Sequence, residues 1–380
     1  MEAQAKIPQP AASSNGFGRR GYPRAVKVWL VVGLIMVVGQ IVIGGITRLT
    51  ESGLSITEWE VITGTLPPLN AEQWAVEFDK YKTSPQYEKV MKGISMSDFK
   101  FIYFWEWFHR LWARTMGLVF AVGFLIFWRK GWLDRPLMKR LGVVVALAAL
   151  AASFGWIMVA SGLEDRPWVN AYKLTIHLSL GITLFSYLLW ITLKVVAPKT
   201  RTFPQTAVDK WVWPLNFVLA LQLILGGIMS GARTAIVYPE WPLMKGEFIP
   251  SVLRDVNMWT VDNLVNYEQS FFQPALIQFL HRMTAYGLTI MVIAFVFLAA
   301  KRLKGTEIPR VNFLLISVLI IQVILGIATV VSSKGEVPVG LGVAHQFVAI
   351  LLAGVVVYLN YCFRPGSLLG TVDKSVEKAN

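Results

Sequence analysis

Cysteine is almost missing from this chain: Cys362 is its only one in 380 residues. That excludes a disulfide within the chain and any cysteine-built metal centre. Histidine is scarce too, with only His109, His177, His281 and His345. Zinc or copper sites recruit clustered Cys, Asp or extra His, and no such cluster exists. Acidic side chains are few, 23 against 36 Lys and Arg, and Glu106 is the only one inside a long apolar run. Charged residues make up 16% of the chain and hydrophobic ones 55%, with a mean hydropathy of +0.53. Such a composition excludes an ordinary soluble domain and describes an integral membrane protein.

Eight apolar runs near 20 residues long are predicted to span the bilayer. They cover about 25–46, 101–128, 141–163, 172–193, 211–231, 273–300, 311–332 and 339–362. The second and sixth are long and are expected to begin outside the bilayer. The net charge of +13 alternates along the chain. The two tails and every second connecting segment hold 21 of the 36 basic residues but six of the 23 acids. This excess places both termini on the cytoplasmic side. The charge is therefore topological, and nucleic acid is not expected as a partner. Residues 1–24 are rich in Ala, Ser, Pro and Gly and read as a disordered cytoplasmic tail. With no apolar stretch before the first span they do not read as a cleaved signal. They are short and weakly amphipathic for a mitochondrial presequence, so a bacterial inner membrane is expected.

The chain repeats itself. At an offset of 182, Gln40 meets Gln222, Gly44 and Gly45 meet Gly226 and Gly227, Glu58-Trp59 meets Glu240-Trp241, and Pro68 meets Pro250. FHRLWA around His109 matches LHRMTA around His281, and His177 matches His345. Each copy holds an even number of spans, so the copies share one orientation and are related about an axis along the membrane normal. The expected architecture is all-α: two pseudo-twofold-related four-helix bundles, 25–200 and 201–362, with a second cytoplasmic tail at 363–380.

From His109, His177, His281 and His345 to the first basic residue beyond each apolar segment (Arg129, Lys194, Lys301 and Arg364) is 20, 17, 20 and 19 positions. At a helical rise of about 1.5 Å each imidazole lies roughly 25–30 Å from the basic end, at one depth near the outer face. Polar groups there are expensive and usually functional. One pair per four-helix half is what a haem iron in each half would need, one histidine from each side. Glycines at Gly44-Gly45 and Gly226-Gly227 would let helices approach closely, and packing alone explains them.

Glu106 precedes His109 by three and shares its helix face. It is read either as a proton-transfer or substrate-orienting carboxylate, or as the ion-pair partner of Arg110 or Arg114. The matching residue is the neutral Gln278, so the two sites differ. Arg110 and Arg282 follow the paired histidines and suit propionate carboxylates, or snorkel to headgroups. The long outer segments at 47–100 and 232–272 carry helix starts at Asn70 and at Ser84-Pro85. With Trp59, Trp74, Trp241 and Trp259 they form either a lid over the histidines or an aromatic belt.

The GGITRLTESGLSITEW segment, EWFHR, FLHRM and the paired repeat resemble the haem A synthase family over nearly all of residues 25–362. Some bacterial members carry a loop cysteine pair. This chain has none and is similar to the alphaproteobacterial and mitochondrial branch, which puts a thiol-pair mechanism in doubt. The resemblance implies conversion of haem O to haem A by successive hydroxylation of the C8 methyl, for cytochrome oxidase biogenesis. It implies a haem b on His281 and His345, and a haem O substrate site with Glu106, His109 and His177. Haem O synthase and an electron donor are the implied partners, and a homo-oligomer stays open. Two other classes compete: a quinol-linked di-haem electron-transfer cytochrome without substrate chemistry, and a haem or ion transporter. Glu106 against Gln278 favours the enzyme, since a pure relay needs no asymmetry.

Single cysteines placed in segments 129–140 and 301–310 should react with membrane-impermeant thiol reagents only from the cytoplasmic side. Labelling from the outer side would reverse the topology.

Overall fold

The computed structural model describes residues 21–58, 63–163, 167–197, 208–303 and 308–363. Most of both tails and Trp59 lie outside them. The described residues form thirteen α-helices, with no strand among them. In order these are α1 (Arg24–Leu49), α2 (Ala71–Lys82), α3 (Pro85–Lys89), α4 (Met96–Arg129), α5 (Arg135–Gly162), α6 (Ala171–Val196) and α7 (Asp209–Gly231). After them come α8 (Thr234–Val237), α9 (Ser251–Arg254), α10 (Val261–Val265), α11 (Phe272–Arg302), α12 (Ile308–Ser332) and α13 (Val339–Phe363). Eight of them, α1, α4–α7 and α11–α13, are long and apolar enough to cross a membrane. This is a multi-pass membrane protein with eight spans.

Local chemistry sets the helix ends. Asn70 caps α2 by accepting from the Gln73 N–H (2.9 Å), and Ser84 caps α3 ahead of Pro85. Ser95 and Asp98 form a reciprocal box that starts α4. At 34 residues α4 is about 51 Å long, well beyond the ~30 Å hydrocarbon layer. Its first turns stand outside, as the long second span implied. There Phe99, Ile102 and Tyr103 pack with Phe78 and Tyr81 of α2 and with Trp74. Lys80, between Glu58 and Glu77, ties this roof to the segment after α1.

Within the first half α1 packs on α4 and α5 on α6; in the second, α7 packs on α11 and α12 on α13. The halves meet where α6 touches α7 and α13, and where α1 touches α13. Glu51 and Arg233, 182 positions apart and both in left-handed backbone conformation, form an ion pair. Residues equivalent in a repeat can touch only beside the axis relating the copies. Arg48 reinforces the joint by donating to the Ser230 and Gly231 carbonyls at the end of α7 (3.0 and 3.2 Å), acceptors a helix terminus leaves open.

The copies differ in how tightly they close. α11 packs directly on α12, whereas α4 and α5 make no comparable contact. In the apolar windows of α4 and α5 6% of residues are buried, against 22% and 17% for α11 and α12. The first half is thus open along one side, between its second and third spans.

Phe99 is fully buried at the centre of the roof cluster. Phe99→Ala should cost about 3–5 kcal/mol, as for a large core aromatic. Limited proteolysis should then cut the segment from 71 to 95 faster than in the parent chain, while the membrane spans stay protected.

Candidate functional site

The four histidines share one construction. Each imidazole lies against a glycine of a neighbouring helix, where a side chain would collide with it. A Cβ on Gly44 would stand 3.0 Å from His109, and one on Gly226 3.2 Å from His281. A Cβ on Gly155 or Gly326 would stand 2.9 Å from His177 or His345. So α1, α5, α7 and α12 each give up a side chain to seat a ring carried by α4, α6, α11 and α13. The glycine pairs divide the work. Gly44 and Gly226 serve the imidazoles, while Gly45 and Gly227 make room for Gln346 and Thr175 across the joint between the halves. Both glycines of each pair are thus explained by close packing, the first against an imidazole and the second across the joint.

Three glutamines complete the setting. The Gln40 amide donates to His109 Nε2 (2.9 Å) and to the His109 carbonyl (3.3 Å). Its counterpart Gln222 reaches His281 Nε2 (3.1 Å), and Gln322 reaches His345 Nε2 (3.3 Å). His177 differs: its Nδ1 lies 2.8 Å from the Ala151 carbonyl. Since a carbonyl only accepts, Nδ1 carries the proton and Nε2 keeps its lone pair, the state a metal ligand needs.

The residues fit a haem. In each half one histidine is carried by the second span and one by the fourth, each against a glycine of the span before it. Among the described residues no three His, Cys, Asp or Glu gather into a metal site. A porphyrin brings four nitrogens of its own and asks the protein only for axial ligands. Buried polar atoms without a protein partner surround the rings: Nδ1 of His281 and His345, and Oε1 of Gln40, Gln222 and Gln322. Native interiors rarely leave such atoms unpaired.

Aligning the chain on Gly155 and Gly326 exposes an asymmetry. Ala148, Ala149, Ala151, Ala152 and Ser153 of α5 stand where α12 has Leu319, Ile320, Gln322, Val323 and Ile324. The helix beside His177 is stripped of bulk on the half that is open between α4 and α5.

Glu106 is buried, and its carboxylate is fully engaged. Oε1 pairs with Arg110 (2.5 Å), and Oε2 accepts from the Ser55 hydroxyl and the Ile56 N–H (both 2.8 Å). Gln278 does the corresponding job, donating to the carbonyl of Tyr238 (2.8 Å), the repeat counterpart of Ile56. Both residues hold the loop after the first span of their half onto the second. The ion-pair alternative for Glu106 is the arrangement found. Arg110 also donates to the Ile56 carbonyl (3.4 Å) and Arg114 to that of Gly64 (3.2 Å). Arg282 bonds the carbonyls of Glu240, Pro242 and Leu243. Of the loop tryptophans, Trp74 packs into the roof, Trp241 bonds Tyr286, and Trp259 bonds the Leu253 carbonyl.

Each histidine is thus seated against a glycine of the span that precedes its own. Gln40 and Gln222 were legible as a repeated pair, but their contact with the rings was not. Gly155, Gly326, Gln322 and the α5 wall went unread, because their signal lies in comparing the third spans of the two halves.

The family model for cytochrome oxidase assembly proteins, COX15-CtaA, matches residues 27–357. The chain is 38% identical over 346 residues to a protein of Rhodospirillum centenum named Heme A synthase, covering 90% of this chain and 89% of the relative. It is 36% identical over 329 residues to proteins of the same name from Brucella anthropi and Brucella ovis, covering 87% of this chain and 89% of each.

Glu106→Gln should take from the part-buried Arg110 the carboxylate it pairs with and cost about 3–5 kcal/mol. The double variant Glu106→Gln/Arg110→Gln should recover part of that loss in thermal unfolding of the purified protein. Additive effects would show that the pair is not coupled.

Proposed function

The chain belongs to the COX15-CtaA family of cytochrome oxidase assembly proteins, and on that footing we propose that it is a haem A synthase. It is a membrane oxidoreductase that converts haem O to haem A by oxidising the C8 methyl to a formyl group. In balanced form a ring methyl, dioxygen and two reducing equivalents give the hydroxymethyl group and water. A second round gives the geminal diol, which loses water to the aldehyde.

The observation that carries the division of labour is the opening between α4 and α5 beside His177. A substrate must enter and leave, and haem O carries an isoprenoid tail soluble only in lipid. The small residues of α5 and the open side suit that tail. The closed packing of α11 on α12 suits a group that stays. The first half, 25–200, is therefore the substrate half, and the second, 201–362, holds a haem b through His281 and His345.

When bound, haem b supplies one-electron chemistry close to the substrate. The chain's own residues bind and orient. His177, its Nδ1–H held by the Ala151 carbonyl, offers Nε2 to the substrate iron, with His109 on the other helix. Gln40 carries the donor that reaches His109. Arg282 spends three of its five N–H donors on loop carbonyls and can offer the others to a propionate. Arg110 has the same place beside the first site. Glu106 acts as a positioning residue: it fixes Arg110 and the Ser55–Ile56 loop over the site. The roof of α2, α3 and the start of α4 shields that side from water. Both termini lie on the cytoplasmic side of the bacterial inner membrane with the histidines near the outer face. Haem O synthase supplies the substrate, and an electron donor completes the cycle.

His281→Ala and His345→Ala should each abolish the low-spin b-type spectrum of the purified protein while membrane insertion is kept. His177→Ala should keep that spectrum and stop product formation. Extraction and chromatography should find haem B together with haem O or haem A in the parent protein. Two equivalents of haem B and nothing else would instead identify a relay cytochrome.

A further inference from the structure

A cavity lies far from the roof, at the end of the helices where α7 begins and α13 ends. It measures about 490 Å³ and is lined by Val212, Trp213, Asn216 and Phe217 of α7 and by Asn360 and Phe363 of α13. Trp213 and Phe217 stack on each other and are 73% and 58% exposed, so the cavity opens sideways. In a span that direction is lipid.

Its polar part is an asparagine pair. Asn216 Nδ2 donates to Asn360 Oδ1 (3.1 Å), and Asn360 Nδ2 donates to Asn216 Oδ1 (3.0 Å). The second N–H of each amide goes to its own helix, to the carbonyls of Val212 (2.6 Å) and Val356 (2.7 Å). All four donors are thus used. Each Oδ1 accepts one bond and has a second lone pair to spare. A ligand at the amide pair must give hydrogen bonds, not take them. The repeat says that a helix clamp alone does not need these residues. At the matching places α1 has Val31, Leu34 and Ile35, and α6 has Thr192 and Val195. The first half packs with no amide pair and no ring pair.

We propose that this cavity binds the reduced form of a lipid-soluble quinol. A flat ring suits the Trp213 and Phe217 walls, and its hydroxyls donate to the spare Oδ1 lone pairs. The oxidised quinone has carbonyls only and finds no donor in the amide pair, so the pair favours the hydroxyl form over the dione. Entry is from the bilayer, where such molecules dissolve. Asn216 precedes Gln222, whose amide touches His281, by six residues, about 9 Å along α7. Only the use of this ligand as reductant rests on the function proposed above. There one quinol, on becoming quinone, supplies the two electrons and two protons that each hydroxylation with dioxygen consumes.

The test is photolabelling of the full-length, haem-loaded protein in nanodiscs with an azido-quinol. Peptide mapping should place the label in residues 211–217 or 358–363. A short-chain quinol should compete at concentrations at least tenfold below those of its quinone. Asn216→Leu/Asn360→Leu should weaken competition at least tenfold with an unchanged haem spectrum. Trp213→Ala, which leaves the amide pair intact, should weaken it as well. Labelling spread over all lipid-facing helices, equal competition by quinone, or undiminished competition in both variants would overturn the proposal and leave the cavity to acyl chains. The label is read whether or not haem is bound. A chain that fails to hold haem would therefore count against the enzyme and not against this site.

Discussion

An imidazole ring set against a glycine of the neighbouring helix is the contact on which this molecule is built. It can form only where the facing residue has no side chain. Gly44, Gly155, Gly226 and Gly326 supply that gap four times, on four helices. The first, third, fifth and seventh spans are thereby held at the depth of the histidines on the second, fourth, sixth and eighth. Close approach in lipid needs small residues, because hydrocarbon gives apolar surfaces no reason to associate.

A duplicated scaffold has become two unlike sites through a few substitutions. Where α12 carries Leu, Ile, Gln, Val and Ile, α5 carries Ala and Ser, and the wall beside His177 recedes. Gln322 reaches for His345, whereas the corresponding Ala151 offers His177 only a backbone carbonyl. A ring anchored through Nδ1 keeps Nε2 for a ligand. The open side between α4 and α5 adds a way in from the bilayer. Each change is modest, but together they make the two histidine settings unlike, as the proposed division between an exchanging and a resident group requires.

The roof ties the two sites to one frame. Glu106 and Gln278 use different chemistry for one mechanical task, fastening the loop after the first span of each half to the second. The carboxylate adds a buried ion pair with Arg110, which costs desolvation and is held by three donors. On the axis between the halves Glu51 pairs with Arg233, the residue at its own place in the other copy. A repeat that kept identical residues there would set like charges face to face, so this position had to diverge.

Much of this was legible along the chain. Eight runs of bilayer length and the internal repeat fix helix number and approximate helix limits and place one histidine on the second and one on the fourth span of each half, because lipid leaves a backbone few choices. Helix starts at Asn70 and Ser84 were readable for the same reason that caps are local. The partners of Glu106 were not. Proximity in sequence to His109 suggested a shared chemical task, whereas the fold turns the carboxylate to Arg110 and to a loop 50 residues upstream. Nor could the chain alone say that Gln40 reaches His109, that Gly155 seats His177, or that α4 stands apart from α5. Periodicity and composition report which residues a helix exposes to lipid or protein. Which two helices meet, at what height and how closely, is decided by side-chain volumes summed across the whole bundle, and only the folded molecule carries out that sum.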